Sequence, residues 1–393
     1  MDYFQSSLER HRETRGKIEV RSRMRLESRD DLSIAYTPGV AAPCEAIAAD
    51  PKSAWDLTWK GRTVAVVSDG SAVLGLGDIG PAASLPVMEG KAALFREFAG
   101  VDAVPVVIDE REPQRIIELV RAIAPTFGGV NLEDISAPRC FEIEAGLQDI
   151  GIPVLHDDQH GTAIVMLAAV MNAARAQGRF LGELSVVING AGSAGRAIAH
   201  LLTCEGAAEQ CIPVRQVRVC DSRGMLSPGR ERQNESKEAL AQLTNPEGQE
   251  GDLRSALEGA DVFIGVSVGN ILQAEDIRRM NENSIVLAMA NPIPEILPDE
   301  ARAGGAAIVG TGRSDFPNQV NNVLAFPGLF RGALEARATR FTNGMKFAAI
   351  QAIADHVVEP TPNAILPPAF DRSVAVEVAR AVAEAARHDG VAS

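Results

Sequence analysis

The chain has 393 residues, 46% hydrophobic and 23% charged, which is the composition of an ordinary globular protein and longer than one hydrophobic core usually spans. Its net charge of −14 disfavours nucleic-acid backbones and anionic membrane surfaces as partners. Small acids are not disfavoured in this way, because they answer to the local field of a pocket.

Near the N-terminus, Asp2, Glu9, Arg10, Arg12 and Glu13 occur without an apolar core, unlike a signal peptide. The longest apolar run, 163–171, is too short to span a bilayer. A cytoplasmic protein is expected. The five cysteines, Cys44, Cys140, Cys204, Cys211 and Cys220, are odd in number and form no C-x-x-C, so reduced thiols are expected.

Short β-branched runs at 63–67 and 103–108 predict buried strands, and Pro113–Ile123 has helical spacing. Residues 128–132 form a short strand pattern running into Glu133-Asp134. Residues 163–176 predict a strongly apolar helix linking two halves of the chain. Beyond it, 184–188 is strand-like, followed by a glycine cluster and a helix through Leu202. A second strand, 217–220, ends at Asp221, and further buried strands are predicted at 262–266, 285–290 and 307–309. Apolar strands alternating with helices predict a parallel sheet covered on both faces. The mixed-charge stretch 226–256 reads as a solvated loop and helix.

Gly190-Ala191-Gly192-Ser193-Ala194-Gly195 matches G-x-G-x-x-G. Alone this is a weak signal. Here a strand precedes it, a helix follows, and the next strand ends in an acid, as a dinucleotide fold requires. The first glycine permits the turn, and the second lets backbone approach a pyrophosphate at the helix N-terminus. Asp221 favours NAD by bonding the adenine ribose, whereas Ser222 and Arg223 can meet the 2′-phosphate of NADP. The reading leans to NADP. The fold class is therefore α/β, with an N-terminal α/β substrate domain (1–160) and a Rossmann-type doubly wound parallel-sheet domain with C-terminal helices (161–393).

The stretch His156-Asp157-Asp158-Gln159-His160-Gly161-Thr162-Ala163 places two acids side by side. Adjacent carboxylates are either separated by solvent or held by a cation. Glu133 and Asp134 end an earlier strand, and carboxylates at strand ends can converge. Hard oxygen donors without cysteine suit Mg²⁺ or Mn²⁺. His156 and His160 could suggest zinc, but zinc hydrolases pair histidines at helical spacing with an acid, and His160 reads better as a supporting residue.

Seven ordered blocks, at 32–40 (LSIAYTPGV), 68–81, 86–95, 127–135, 156–163, 287–294 and 311–332, make the chain resemble the malic enzymes of the short bacterial branch. Some members of that branch add an acyltransferase-like domain, which is not expected within this length. The resemblance implies oxidative decarboxylation of (S)-malate to pyruvate and CO₂ with NAD(P), with oxaloacetate decarboxylation as a second activity. It implies that Glu133, Asp134 and Asp158 bind the metal and that Asp157 supports the base or the metal. It implies Lys91 as general base and Tyr36 as general acid. Asn291 and Asn321 would hold malate, with Asn291 also at the cofactor, whose fingerprint is Gly190, Gly192, Ser193, Ala194 and Gly195. Homodimers or higher homo-oligomers are the family habit. The larger eukaryotic branch has a carboxylate-binding arginine where this chain has Ala72, so the group that clamps the malate C1 carboxylate stays unassigned.

A lysine base has to be neutral at working pH, which desolvation or nearby positive charge brings about by lowering its pKa. Lys91 has the apolar neighbours Val87, Met88, Ala92, Ala93 and Leu94, and the resemblance implies the metal nearby. Two competing readings remain: a metal-independent, non-decarboxylating dehydrogenase, and a nucleotide-binding regulator without catalysis.

Overall fold

A computed structural model describes residues 3–73, 75–205 and 211–393. Its first sheet is wholly parallel, in the order β2-β1-β3-β4, with β1 at Thr63–Ser68, β2 at Asp102–Val107, β3 at Gly129–Leu132 and β4 at Val154–His156. Every residue of β1 is buried, as expected of a valine-rich strand covered on both faces. Register matters more than composition here. Leu132, the last residue of β3, pairs with His156, the last of β4. The chain therefore leaves both strands at the same level, and Glu133-Asp134 emerges beside Asp157-Asp158.

The second sheet runs β10-β9-β8-β5-β6-β7, with β5 at Ser185–Asn189, β6 at Gln216–Asp221, β7 at Gly224–Met225, β8 at Val262–Gly265, β9 at Ile285–Ala288 and β10 at Ile308–Thr311. All pairings are parallel except β6 with β7. The order reverses between β5 and β8, and ligands of doubly wound sheets bind at such a switch point, beyond the carboxyl ends of the strands.

The helix Asp157–Ala176 joins the two sheets and is buried along most of its length. A helix apolar all round belongs inside a protein. It starts six residues earlier than its apolar run suggested, so the two acids occupy its first turn, where the helix dipole tolerates negative charge. One continuous core runs from Val64 and Phe95 of the first half through Ala168 and Val186 to Phe326 and Val378. The helices Phe326–Glu335, Asn343–His356 and Arg372–His388 contribute to that core.

Strand β7, only two residues long, was not foreseen. The stretch 226–256 does hold the expected helix, Glu235–Thr244, but it is not simply solvated: Leu226, Leu240 and Ala241 are buried. Reduced thiols are also not the outcome for every cysteine. Cys204 and Cys211 are disulfide-bonded, their Cα atoms 5.7 Å apart and within bridging range, while Cys44, Cys140 and Cys220 are free. Near the N-terminus, the helices Tyr3–Thr14, Arg29–Ala35 and Ala41–Ala49 bury none of their residues. Tyr3, Phe4, Leu8, Leu32, Ile34 and Tyr36 are all exposed. Among the described residues, no helix is long and apolar enough to cross a membrane.

Candidate active site

Carboxylate oxygens of Glu133, Asp134 and Asp158 lie within 4.8 Å of one another. Asp134 adopts a left-handed backbone conformation with φ of 53°, which turns the chain sharply after β3. Its amide donates to Asp158 Oδ2 at 2.8 Å, tying the turn after β3 to the helix that carries Asp158. Asn131 Nδ2 donates to Glu133 Oε2 at 2.7 Å.

Burial raises the pKa of each of these acids, and their mutual repulsion adds to the effect. Asp134 is pushed up to about 9 by burial, then by Asp158 and Glu133. Asp158 rises to about 6 through burial, although Lys91 opposes the shift. Glu133 is also raised, chiefly by burial. Asp134 Oδ2 is buried and has no hydrogen-bond donor. Crowded hard oxygens and an orphaned buried acceptor fit a divalent cation, with Glu133, Asp134 and Asp158 as the holding groups.

Lys91 enters from the helix Pro81–Leu94, with its side chain only 7% exposed. Its Nζ lies 2.6 Å from Asp157 Oδ2, 2.8 Å from Glu133 Oε1 and 4.1 Å from the centre of the Phe326 ring. The protein groups alone do not depress the Lys91 pKa. Burial does push toward the neutral amine, but Asp157 and Glu133 outweigh it and raise the pKa above the usual lysine range. The apolar residues adjacent in sequence did not reveal two carboxylates contributed by distant strands.

Asp157 is fully buried, and burial raises its pKa to about 6 against the pull of Lys91. Its side chain folds back over its own helix: a Cβ on Gly161 would lie 1.8 Å from Asp157 Oδ1. Asn322 Nδ2 donates to Asp157 Oδ2 at 2.5 Å. The neighbouring Asn321, expected to hold malate, accepts from the Val323 amide on its Oδ1 at the start of a short helix. Asn291 sits beyond β9, its Nδ2 3.3 Å from Met289 O. Tyr36 is 67% exposed, and its hydroxyl makes no hydrogen bond to Lys91 or to the acids.

The glycine motif folds as its spacing required. Gly190 has φ of 128°, and a Cβ there would come 2.5 Å from Val266 O; one on Gly195 would come 1.7 Å from Gly190 O. A Cβ on Gly192 would meet nothing within 4 Å, which leaves the space where a pyrophosphate approaches. Gly192 caps the helix Ser193–Leu202 without a side-chain hydrogen bond, so Ser193 and Ala194 begin a first turn with open N–H groups.

Asp221 does not stand free at the end of β6. Arg230 reaches both its oxygens at 3.1 and 2.7 Å, and Lys237 reaches Oδ2 at 2.8 Å. These hydrogen bonds overcome the effect of burial and hold the carboxyl well below the usual range. Arg223 directs its guanidinium to the carbonyls of Glu231 and Arg232. Arg230 and Lys237 lie in the stretch first read as merely solvated.

The malic enzyme N-terminal domain matches residues 15–148, and the malic enzyme NAD-binding domain matches 159–387. The bifunctional malic/malolactic enzyme of Bacillus subtilis is 51% identical over all of this chain and 95% of its own length. The NAD-dependent malic enzyme of Geobacillus stearothermophilus is 52% identical, over 96% of this chain and 78% of its own. A Halomonas elongata relative, 46% identical over 96% of this chain and 92% of its own, is named NADP-dependent malic enzyme. The crystal structure of the malic enzyme from Pyrococcus horikoshii superposes with a TM-score of 0.92 at 47% identity, covering 99% of this chain and 92% of that one. Matched in order through both halves, with an acid cluster beside a dinucleotide crevice, the chain belongs to the malic enzymes, NAD(P)-dependent oxidoreductases that decarboxylate malate oxidatively.

Proposed function

We propose that this chain converts (S)-malate to pyruvate and CO₂ at the acid cluster, with Mg²⁺ or Mn²⁺ held by Glu133, Asp134 and Asp158 and with NADP used in preference to NAD. The observation that carries this reading is the placing of one lysine, Lys91, between Glu133 of the metal set and Asp157 of the helix that follows β4. Held by Glu133, Asp134 and Asp158, a divalent cation would supply a positive field for the C2 oxygen of malate, and a dinucleotide held at Gly190, Gly192 and Gly195 would supply the hydride acceptor.

The chain's own residues handle the protons. Lys91 takes the proton of the C2 hydroxyl, which requires it to be neutral first. Glu133, if it also held a cation, would bind Lys91 less strongly and so weaken the lysine's hold on its proton. Asp157, fixed by Asn322, keeps the amine aimed while its charge changes. After the bond between C3 and the departing carboxylate breaks, releasing CO₂, Tyr36 returns a proton to C3. Decarboxylation of added oxaloacetate uses the later steps alone.

Tyr36 lies on the exposed apolar N-terminal segment, so its role fits delivery from a second copy in a homodimer or larger homo-oligomer. Preference for NADP rests on charge: Arg230 and Lys237 already neutralise Asp221 and leave net positive charge where a 2′-phosphate would lie. Purified protein given malate and Mn²⁺ should reduce both nucleotides, NADP with the lower KM. Turnover that survives exhaustive chelation would sink the metal assignment, and equal KM values would sink the preference.

A further inference from the structure

The helix carrying Asp157 and Asp158 begins at His156, which provides no side-chain cap. The cap comes from another element. Glu144, on the helix Arg139–Ala145, accepts the His156 amide on Oε1 at 2.9 Å. It also accepts Gln159 Nε2 on Oε2 at 3.2 Å and faces His160 Nε2 at 3.0 to 3.1 Å. One carboxylate thus grips the residue before the acid pair and the two residues after it.

His160 continues the chain of contacts. Lys346 Nζ lies 3.2 Å from His160 Nδ1. Burial lowers the Lys346 pKa and Glu144 opposes the shift; as an ammonium Lys346 can only donate, which makes Nδ1 the acceptor and gives Nε2 the hydrogen that goes to Glu144. Lys346 belongs to the helix Asn343–His356 in the nucleotide-binding half, whereas Glu144 belongs to the substrate half. Neither side chain touches the metal-binding oxygens, and the mechanism above uses neither.

We propose that Lys346 is a positioning residue for the metal site. Through His160 it orients Glu144, and Glu144 fixes the first helical turn, so that Asp158 meets Glu133 and Asp134 and Asp157 meets Lys91. Partners one step behind metal ligands commonly change metal affinity by about 10- to 100-fold when removed. The inference rests on the acid cluster's being the cation site, and the experiment separates the two.

The experiment measures Mn²⁺ affinity by calorimetry and NADP affinity by fluorescence on purified protein, with no turnover involved. Asp158→Asn should abolish measurable Mn²⁺ binding; if it does not, the metal reading itself fails. Lys346→Met should weaken Mn²⁺ binding about tenfold or more and leave NADP binding within about twofold. Lys346→Arg, which can still donate to Nδ1, should recover most of the loss. Glu144→Gln should match Lys346→Met, and the double variant should cost no more than either single change, since both break one chain of contacts. If Asp158→Asn acts as stated but Lys346→Met binds Mn²⁺ like the unaltered protein, the positioning role is overturned. Additive losses in the double variant overturn it equally. Should Lys346→Met fail to fold, the same comparison runs on Glu144→Gln and Lys346→Arg, and wild-type Mn²⁺ affinity in Glu144→Gln is then the overturning result.

Discussion

Lys91 Nζ and Asp157 Oδ2 stand 2.6 Å apart, and the same oxygen accepts from Asn322. Asp157 is thus where the two halves of the chain meet the base: Lys91 comes from the first half and Asn322 from the second. Its position depends on the absence of a side chain at Gly161, one turn along the helix, where a Cβ would strike Asp157 Oδ1.

Gly161→Ala should therefore displace Asp157 and, with it, Lys91. A misplacement of about 1 Å can cost about 10²-fold in rate. Alanine also favours a helix by about 1 kcal/mol over glycine, which offsets part of the local clash. The expectation is a kcat about 10²-fold lower with a melting temperature changed by only a few degrees. Unaltered kcat would show that Asp157 can move without consequence.

The acid cluster makes stability depend on pH in a definite direction. Asp157 and Asp158 have native pKa values of about 6 and Asp134 about 9, all above the unfolded value near 4. Between pH 4 and 9 the native state then binds more protons than the unfolded state, so stability conferred by these groups falls as pH rises. A divalent cation removes that penalty. Mn²⁺ should raise the melting temperature more at pH 8 than at pH 6. Comparison with and without metal at each pH cancels the titration of distant groups. An equal rise at both pH values, or none, would contradict this account.

Much of the site was legible because its chemistry is written in short blocks. Glu133-Asp134 and Asp157-Asp158 each follow a strand, and G-x-G-x-x-G sits between a strand and a helix. What could not be read was anything set by register or by distant partners. The pairing of Leu132 with His156 brings the acid pairs together, yet β4 is too short to show periodicity. The charge state of Lys91 follows from carboxylates 42 and 66 residues away, not from its apolar neighbours. Arg230 and Lys237 were hidden in a polar stretch because a cation aimed at Asp221 and a solvated one have the same sequence.

Cofactor choice should respond to those two cations. Lys237→Gln removes one charge-assisted hydrogen-bond donor, worth about 1.5–3 kcal/mol, from the 2′-phosphate position. The kcat/KM for NADP should fall about tenfold or more, with NAD affected less than threefold. Asp221→Ser should do the reverse, freeing Arg230 and Lys237 for the phosphate while removing the acceptor that the NAD ribose needs. If both substitutions change the two nucleotides equally, the β6 end does not discriminate between them.

The disulfide makes a countable prediction. Denatured without reductant, the protein should titrate three thiols, Cys44, Cys140 and Cys220, and after reduction all five. The bridge closes a short loop, for which chain entropy gives about 2 kcal/mol of stabilisation. Dithiothreitol should lower the melting temperature by a few degrees. Five thiols before reduction would show that the bridge does not form in the isolated protein.

Lys91 and Tyr36 can be separated by the step each serves. Lys91 takes the hydroxyl proton during oxidation and returns it when oxaloacetate is reduced. Lys91→Ala should suppress both directions by roughly the 10²–10⁴-fold typical of a lost general base. Tyr36 acts afterwards, at C3. Tyr36→Phe keeps the ring, and the residue is exposed, so stability should hardly change. Malate turnover to pyruvate should fall, while oxaloacetate reduction stays closer to the unaltered rate. The exposure of Tyr36 adds a second test. If the tyrosine reaches the acid cluster of another copy, Lys91→Ala and Tyr36→Phe proteins, each weakly active alone, should regain activity when unfolded and refolded together. A mixed dimer then holds one site in which both residues are intact. A mixture no more active than its parents would show that the two residues work within one chain, or that Tyr36 takes no part.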